Sequence, residues 1–350
     1  MTAAPLKIGL VGCGHIGRVV HLQTLQRLPT VQVTSLADSD PGCLEAARAQ
    51  CPEARAFTDF RDLLEQGEVD AIVICLPNAF HAEAAIAAFD RNKHVYLEKP
   101  LALTLTEGSR VLDAWRKSGC IGMIGFNYRF NPLHVEMQRQ LRSGRAGQVV
   151  GARSVWTTAA PRMPKWKTLR QTGGGVLLDF GSHHFDLFRF WFDQPIVEVS
   201  ATVRSHRVEY DTAIVRLRLG SDLLVDSFFS LSSIEDERFE VYGTTGKLSF
   251  DRFNSWNIEL TDLSKRSIPV RYARRAMFAL PHSSFALKKL AAPGSEPSYS
   301  TALIRFLSAV QTGQQLQPDL NDGFQSLAVV IAAEESARLG VPVSPAATAG

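Results

Sequence analysis

The chain has 350 residues, of which 45% are hydrophobic and 21% are charged, and its formal net charge is +3. This composition is typical of an ordinary globular protein that is long enough for two domains. The small net charge gives no indication of a nucleic-acid surface, and no apolar run is long enough to predict a transmembrane helix. We therefore expect neither a nucleic acid nor a membrane as partner.

The cysteines favour a reducing compartment. Their number is odd, their spacing is scattered, and none follows Cys120. Such a pattern indicates free thiols and a cytoplasmic protein. Only Lys7 precedes the first apolar run, and no small-residue cleavage site follows it, so we expect a strand there rather than a signal peptide. The cysteines and histidines also lack the spacing of metal ligands, so we expect no metal site.

The first third of the chain alternates strands with helices. Apolar runs predict strands at 7–11, 31–36, 71–75, 94–97 and 120–125, with a short one at 55–57. Helical spacing predicts helices at 16–28, 41–50, 59–65, 80–90 and 106–118. This alternation is typical of a parallel sheet covered by helices on both faces, an α/β Rossmann arrangement.

The pattern then changes to strands that alternate polar and apolar residues. After a helix near 133–143, strands are predicted at 149–156, 196–203, 212–219, 223–231, 239–242, 247–250 and 257–260. Helices at 300–312 and 322–339 follow, and the last is expected to pack back on the first domain. We predict an α+β C-terminal domain with a mostly antiparallel open sheet. The boundary is placed so that residues 1–126 form one domain and 127–350 the other.

A glycine motif follows the first predicted strand directly. Residues 12–17 read Gly-Cys-Gly-His-Ile-Gly, and helical spacing follows them. In this context Gly12 allows a tight turn, Gly14 allows a pyrophosphate to approach the backbone, and Gly17 allows the helix to pack on the strand. His15 and Ile16 lie at the helix N-terminus, where unpaired N–H groups favour phosphates. The motif predicts a dinucleotide site.

Asp38 lies 38 − 17 = 21 positions after Gly17, at the end of the second predicted strand. A carboxylate about 20 residues after the motif binds the adenosine ribose, and it repels a 2′-phosphate. We therefore predict NAD as the cofactor. NADP stays open, because the hydroxyl of Ser39 could bind a 2′-phosphate.

Three further stretches carry polar groups at strand ends or on a helix. Leu76-Pro77-Asn78 with His81 follows one strand, and Glu98-Lys99-Pro100 follows the next. Carboxyl ends of parallel strands are where open α/β sheets bind ligands. The third stretch, residues 173–186, begins with three glycines and places Asp179 and His183 four residues apart, which puts both on one helix face.

Taken in order, these motifs resemble the Gfo/Idh/MocA oxidoreductases, a family that includes inositol and glucose dehydrogenases. Phe126-Asn127-Tyr128-Arg129-Phe130 and the turn at 241–246 add to the resemblance, which covers nearly the whole chain. It implies a Rossmann domain followed by an open-sheet domain whose exposed face builds homodimers or homotetramers. It also implies a hydride transfer between a nicotinamide cofactor and a hydroxyl or keto carbon of a sugar, inositol or sugar derivative.

The resemblance assigns roles to individual residues. Lys99, Asp179 and His183 correspond to the catalytic lysine, aspartate and histidine. Histidine has a pKa near neutrality and suits the base, whereas lysine can stabilise alkoxide character. The expected cofactor contacts are Gly12, Gly14, His15, Ile16, Gly17, Asp38, Ser39, Leu76, Pro77, Asn78, His81, Glu98 and Lys99. The expected substrate contacts are Asn127, Tyr128, Arg129, Trp166 and His184.

A basic loop between Arg153 and Arg170 also bears on the substrate. It contains Arg162, Lys165 and Lys167 together with two tryptophans. If the loop faces the pocket, it could hold a carboxylate or phosphate, as in a sugar acid or nucleotide sugar. A basic loop at a subunit contact is the alternative.

Two other functions stay open from the sequence. One is a redox-neutral enzyme of the same family that keeps its nicotinamide bound, such as a glycosidase-type or sugar–sugar oxidoreductase. The other is a non-catalytic regulator that senses a nucleotide. The intact Lys99, Asp179 and His183 count against the regulator.

Overall fold

The computed structural model describes residues 4–159, 163–262 and 296–347. Six parallel strands form the first sheet, in the order β3-β2-β1-β4-β5-β6. Their bounds are β1 Leu6–Val11, β2 Val31–Ala37, β3 Arg55–Phe57, β4 Ala71–Ile74, β5 His94–Leu97 and β6 Gly122–Ile124. The order reverses direction between β1 and β4, which brings the carboxyl ends of these strands together around one crevice.

Helices connect the parallel strands. A π-helical segment, Ile16–Leu22, leads into α1 (Gln23–Gln26), and the later helices are α2 (Pro41–Gln50), α3 (Phe60–Gln66), α4 (His81–Phe89) and α5 (Leu105–Ser118). Thr104 and Glu107 form a capping box at the start of α5. Asp59 caps α3, because its carboxylate accepts a hydrogen bond from the N–H of Arg61.

The second sheet has seven strands in the order β13-β12-β11-β7-β10-β9-β8. Their bounds are β7 Val149–Ala159, β8 Ile196–Arg204, β9 Thr212–Leu219, β10 Leu224–Ser230, β11 Ser232–Gly243, β12 Gly246–Asp251 and β13 Glu259–Asp262. Pairing is antiparallel except between β7 and β10, which run parallel. The predicted fold class is confirmed, although β11 begins seven residues before the expected start at 239, since 239 − 232 = 7.

Four further helices follow β6 in the described part of the chain. They are α6 (Pro132–Arg142), α7 (Ser182–Phe192, preceded by the π-helical segment Leu177–Gly181), α8 (Ser298–Thr312) and α9 (Leu320–Leu339). The space around Gly108 of α5 is filled by Phe324 and Leu327 of α9, so α9 lies against the parallel-sheet half. The sequence segment 265–297 is rich in arginine and lysine and is expected to be a solvated loop, and its basic residues lie outside the described residues.

Candidate active site

One cavity of about 1230 Å³ runs from the glycine loop after β1 to the start of α7. Pockets for a single small ligand usually measure about 300–1,000 Å³, so this cavity has room for a dinucleotide and a second ligand. The carboxyl ends of β1, β2, β4 and β5 form one end of it. The residues around Asp179 and His183, carried on the helix that packs beneath the second sheet, form the other.

The glycine loop has the geometry that a pyrophosphate requires. Gly12 adopts φ +91°, and a Cβ there would lie 2.5 Å from the backbone of Cys75. A Cβ at Gly17 would lie 1.9 Å from the carbonyl oxygen of Gly12, so only glycine lets the helix start this close to the strand. A Cβ at Gly14 would meet nothing within 4 Å, which leaves its backbone open beside the cavity.

Asp38 ends β2 beside this loop and lines the cavity together with Ser39. Its Oδ2 accepts a hydrogen bond from the Cys13 N–H at 2.7 Å, and its Oδ1 accepts one from the Asp40 N–H at 2.8 Å. The carboxylate is therefore fixed where a ribose hydroxyl could donate to it.

The loops after β4 and β5 are held together by His81. One ring nitrogen lies 2.6 Å from the carbonyl oxygen of Pro100 and the other 2.8 Å from that of Leu76. The Lys99–Pro100 peptide bond is cis. Leu76, Pro77, Asn78, His81 and Glu98 all line the cavity, and Glu98 Oε1 lies 2.7 Å from Nε2 of the buried His21.

Asp179 and the lysines around it form the polar cluster at the far end of the cavity. Lys99 Nζ donates to Asp179 Oδ1 at 2.8 Å and to the Asp179 carbonyl oxygen at 2.9 Å, while Lys167 Nζ donates to Oδ2 at 2.9 Å. Burial alone would raise the pKa of Asp179, but the Lys167 and Lys99 ammonium groups hold it well below its ordinary range. Asp179 is therefore a carboxylate with two counter-ions.

His183 lies one helical turn after Asp179 and also lines the cavity. Its ring stacks on Tyr128, with ring centroids 4.6 Å apart, and Nδ1 has no hydrogen-bond partner among the described residues. Burial, and then the nearby Lys99 ammonium, hold the pKa of His183 well below its ordinary value. The imidazole is therefore neutral at neutral pH and can accept a proton.

The glycines before this helix serve the contact between the two halves of the molecule. A Cβ at Gly173, where φ is +106°, would lie 2.5 Å from Asn78 Cβ, and the Gly173 carbonyl accepts a hydrogen bond from Asn78 Nδ2 at 2.8 Å. The glycine run thus lets the segment before α7 approach the loop after β4 closely. This contact holds the helical segment that carries Asp179 against that loop.

Comparison with known proteins agrees with this geometry. Residues 6–126 match the oxidoreductase family model described as an NAD-binding Rossmann fold, and residues 134–249 match the GFO/IDH/MocA C-terminal domain. Inositol 2-dehydrogenase 2 of Saccharopolyspora erythraea is 33% identical over 255 residues, covering 70% of this chain and 73% of that protein.

The chain belongs to the GFO/IDH/MocA oxidoreductase family.

An inositol 2-dehydrogenase of Rhizobium meliloti is a further relative, 26% identical over 95% of this chain and 96% of that protein. Among solved structures, the WlbA dehydrogenase of Bordetella pertussis in complex with NADH and UDP-GlcNAcA has a TM-score of 0.85 at 22% identity, with 99% of each chain covered. Levoglucosan dehydrogenase in complex with NADH and L-sorbose has a TM-score of 0.83 at 21% identity, covering 99% of this chain and 100% of that one. At these identities the structures establish the fold.

As a member of this family, the protein is an NAD-binding oxidoreductase. The residues expected to contact substrate do not all reach its cavity. Tyr128 and Trp166 line it, whereas Asn127, Arg129 and His184 are buried elsewhere. Arg129 is instead held by two aspartates, with Nη2 2.6 Å from Asp186 Oδ1 and 2.9 Å from Asp322 Oδ1.

His184 and Asn127 are likewise part of the packing. His184 Nδ1 lies 2.9 Å from Ser154 Oγ in the β7 strand, and Asn127 Nδ2 donates to Ser298 Oγ at 2.7 Å at the start of α8. Both side chains are fully buried. These three polar residues therefore stabilise the packing around the site, and none of them lines the cavity.

Sequence reasoning did not single out several residues that the cavity contains. Arg252 contacts Glu237 and, at 3.0 Å, Glu296, and Tyr128 donates to Glu237 at 3.3 Å. Tyr299 and Trp156 complete this wall. No short motif marks Arg252 or Tyr299, because the end of β12 and the start of α8 meet Tyr128 and Trp156 only in the folded chain.

The basic loop is only partly at the cavity. Lys167 faces it, but Arg170 is turned away to Glu334, 2.6 Å distant, and Lys165 and Arg153 are absent from the lining within the described ranges. Arg162 lies outside the described residues. In the same ranges no cluster of three or more histidine, cysteine or acidic groups could hold a metal ion, and no helix is long and apolar enough to cross a membrane.

Proposed function

We propose that the enzyme oxidises a CH–OH group of a sugar, an inositol or a related derivative to the ketone, with Lys99, Asp179 and His183 as its catalytic residues. One observation carries this proposal. The three side chains meet at the end of a single cavity whose other end is the glycine loop. The dehydrogenase relatives act on inositols and levoglucosan by name, which supports the substrate class.

The residues along the cavity suit NAD. Backbone N–H groups at Gly14 to Ile16 would hold the pyrophosphate, and the Asp38 carboxylate would hold the adenosine ribose. Leu76, Pro77, Asn78 and Glu98 would line the path towards Lys99. When bound there, NAD supplies the acceptor for the hydride.

His183 is the proposed base. Its ring is neutral because burial and the Lys99 ammonium disfavour the imidazolium, so it can take the hydroxyl proton as the carbon is oxidised. Stacking on Tyr128 fixes the plane of the ring. Proton transfer of this kind contributes about 10²–10⁴-fold to a rate.

Lys99 is the proposed stabiliser of the substrate oxygen. Two of its three N–H groups donate to Asp179, which leaves the third for the oxygen that becomes negative as the proton leaves. Asp179 acts through this contact, since its carboxylate fixes the direction of the ammonium group.

The test is to mix the purified protein with NAD or NADP and a panel of inositols, sugars and sugar acids, and to follow the absorbance of reduced nicotinamide. Reduction with one substrate class and its loss in H183N are the expected results. Silence with every substrate, together with nicotinamide released from the denatured protein, would favour the redox-neutral alternative. Silence without bound nicotinamide would contradict the proposal.

We also propose how the chain is organised and assembled. Residues 1–126 would bind the cofactor, and residues 127–350 would bind substrate and form a homodimer or homotetramer through the second sheet. Exposed apolar side chains on that sheet support this, since Ile214 is 59% exposed and pairs across the strands with Phe228, which is 36% exposed. The five cysteines are all free, which supports a cytoplasmic location.

A further inference from the structure

Lys99, Lys167 and Asp179 form a cluster with two positive charges and one negative charge. Lys99 and Lys167 share the single carboxylate of Asp179, and no other carboxylate in the described ranges forms an ion pair with either lysine. The pKa of Asp179 keeps that group ionised, so one positive charge remains. A partly buried charge without a counter-ion favours the binding of an anion.

Two arginines that line the cavity have more carboxylate partners than the lysines do. Arg252 contacts two carboxylates, those of Glu237 and Glu296. Arg61, at the opposite end, also contacts two, those of Asp59 and Glu83. Each arginine therefore faces more negative than positive charge, and the positive surplus is confined to the cluster of Lys99, Lys167 and Asp179.

Of those two lysines, Lys167 is the better placed to bind a second ligand group. Its side chain is 31% exposed, compared with 16% for Lys99. Among the described residues its ammonium makes one hydrogen bond, to Asp179 Oδ2, whereas Lys99 makes two. An ammonium has three N–H donors, so Lys167 keeps two for a ligand.

The surroundings of Lys167 suit a ring that carries an acid group. Its Nζ lies 5.5 Å from the centre of the Trp166 ring, and both residues line the cavity. The indole offers an apolar face beside the charge, which is the combination that an amphipathic sugar ring with a carboxylate requires.

We propose that Lys167 determines substrate specificity by binding a carboxylate on the sugar or polyol, so that sugar acids are the preferred substrates. This inference rests on the proposed function, because it assigns the substrate of the same cavity. The ammonium would donate two charge-assisted hydrogen bonds to the carboxylate while Asp179 holds it in place.

The test compares acid and neutral sugars that share one ring. Binding of D-galacturonate against D-galactose, and of D-glucuronate against D-glucose, is measured by titration calorimetry on the enzyme saturated with NADH at neutral pH. A hydrogen bond to a charged group contributes about 1.5–3 kcal/mol, so the wild type should bind at least one acid about tenfold or more tightly than its neutral partner.

Three variants identify the group responsible. In K167M the preference for the acid should disappear, and in K167R most of it should remain because the charge is kept. K165M is the matched control, since Lys165 is an exposed lysine two positions away that does not line the cavity, and it should behave as the wild type. Turnover should show a raised KM for the acid in K167M with a smaller change in kcat.

The inference is overturned if neither acid binds more tightly than its neutral partner. It is also overturned if K167M keeps the preference, or if K165M loses it to the same extent. These results are distinct from failure of the proposed function, which would appear as absent NADH binding or as no nicotinamide reduction with any sugar.

Discussion

The two ends of the cavity are built in different ways. The cofactor end is built around the backbone of the glycine loop, a helix N-terminus and the ends of parallel strands. The other end, the proposed catalytic end, is made of side chains that follow β5 and β12, of Asp179 in the helical segment before α7, and of His183 in α7. Lys99 and Asp179, which touch, are separated by 80 residues in the sequence.

We therefore expect the two ends to respond differently to substitutions. The glycine loop needs free space beside its backbone, so a substitution that adds atoms should impair folding or cofactor binding. The side-chain cluster depends on charge and protonation, so a substitution that removes one of its groups should impair activity. The following substitutions test whether the two ends differ as described.

The largest expected effect is at the catalytic end, for H183N. Asparagine has similar size but cannot act as the base, so kcat/KM should fall by about 10²–10⁴-fold. NADH affinity, measured by fluorescence titration, should stay close to that of the wild type because the glycine loop is unchanged. Activity within tenfold of the wild type would show that another group takes the proton.

The second-largest effect is expected for R129M, which disrupts the buried ion pairs between α7 and α9. Arg129 holds Asp186 of α7 and Asp322 of α9, and its removal leaves Arg189 alone to balance these two buried carboxylates. The expected loss in free energy of unfolding is about 3–5 kcal/mol, measured by urea denaturation. R216M is the matched control, because the Arg216–Asp226 pair is exposed and should contribute about 1 kcal/mol or less. Equal losses in both variants would contradict this account.

At the cofactor end, an added methyl group should have different effects at Gly17 and at Gly14. G17A places a Cβ against the Gly12 carbonyl and should destabilise the protein by about 1–3 kcal/mol or more. G14A meets no protein atom, so its unfolding free energy should stay within about 0.5 kcal/mol of the wild type. Its NADH affinity should nevertheless fall, since the methyl enters the space of the pyrophosphate. A G14A protein that binds NADH normally would place the pyrophosphate elsewhere.

The smallest expected effect is on stability at acidic pH, and it concerns the loop that contains Asp211. Burial would raise the pKa of Asp211, but hydrogen bonds from the N–H groups of Arg207, Val208 and His206 and from the Ser232 hydroxyl lower it to about 2. A folded pKa below the unfolded value of 3.8 means that this stability is present above about pH 4 and is lost as the pH falls towards 2.

In D211N this dependence should be absent. The drop in Tm between about pH 5 and about pH 3 should therefore be smaller than in the wild type. An unchanged drop would show that Asp211 is not a source of the acid sensitivity.

Local patterns were enough to predict most elements of the fold. The strand at 212–219 and the helix at 41–50 have the predicted bounds, because strict alternation and an Asp-Pro start are local signals. The glycine loop and Asp38 could be predicted in the same way, since strand, turn and helix follow each other in the chain. The four-residue spacing of Asp179 and His183 is also a local signal, and both residues line the cavity.

Contacts between segments that are far apart in the sequence could not be predicted from local patterns. Arg129 and His184 look like candidates for substrate binding because they are polar residues inside motifs, yet packing buries them against Asp186 and Ser154. Lys167 could be noticed only as part of a basic loop, and its contact with Asp179 was not visible.

The sequence by itself determined the element order, the glycine loop and the Asp179–His183 spacing, because each depends on residues that are near one another in the chain. The tertiary structure decided which charges face the cavity and which are neutralised. That outcome depends on how β5, α7 and the loop carrying Lys167 pack together, and on whether a carboxylate from another segment reaches each basic group. Arg129 has two such partners and supports the fold, whereas Lys167 shares one with Lys99 and faces the cavity.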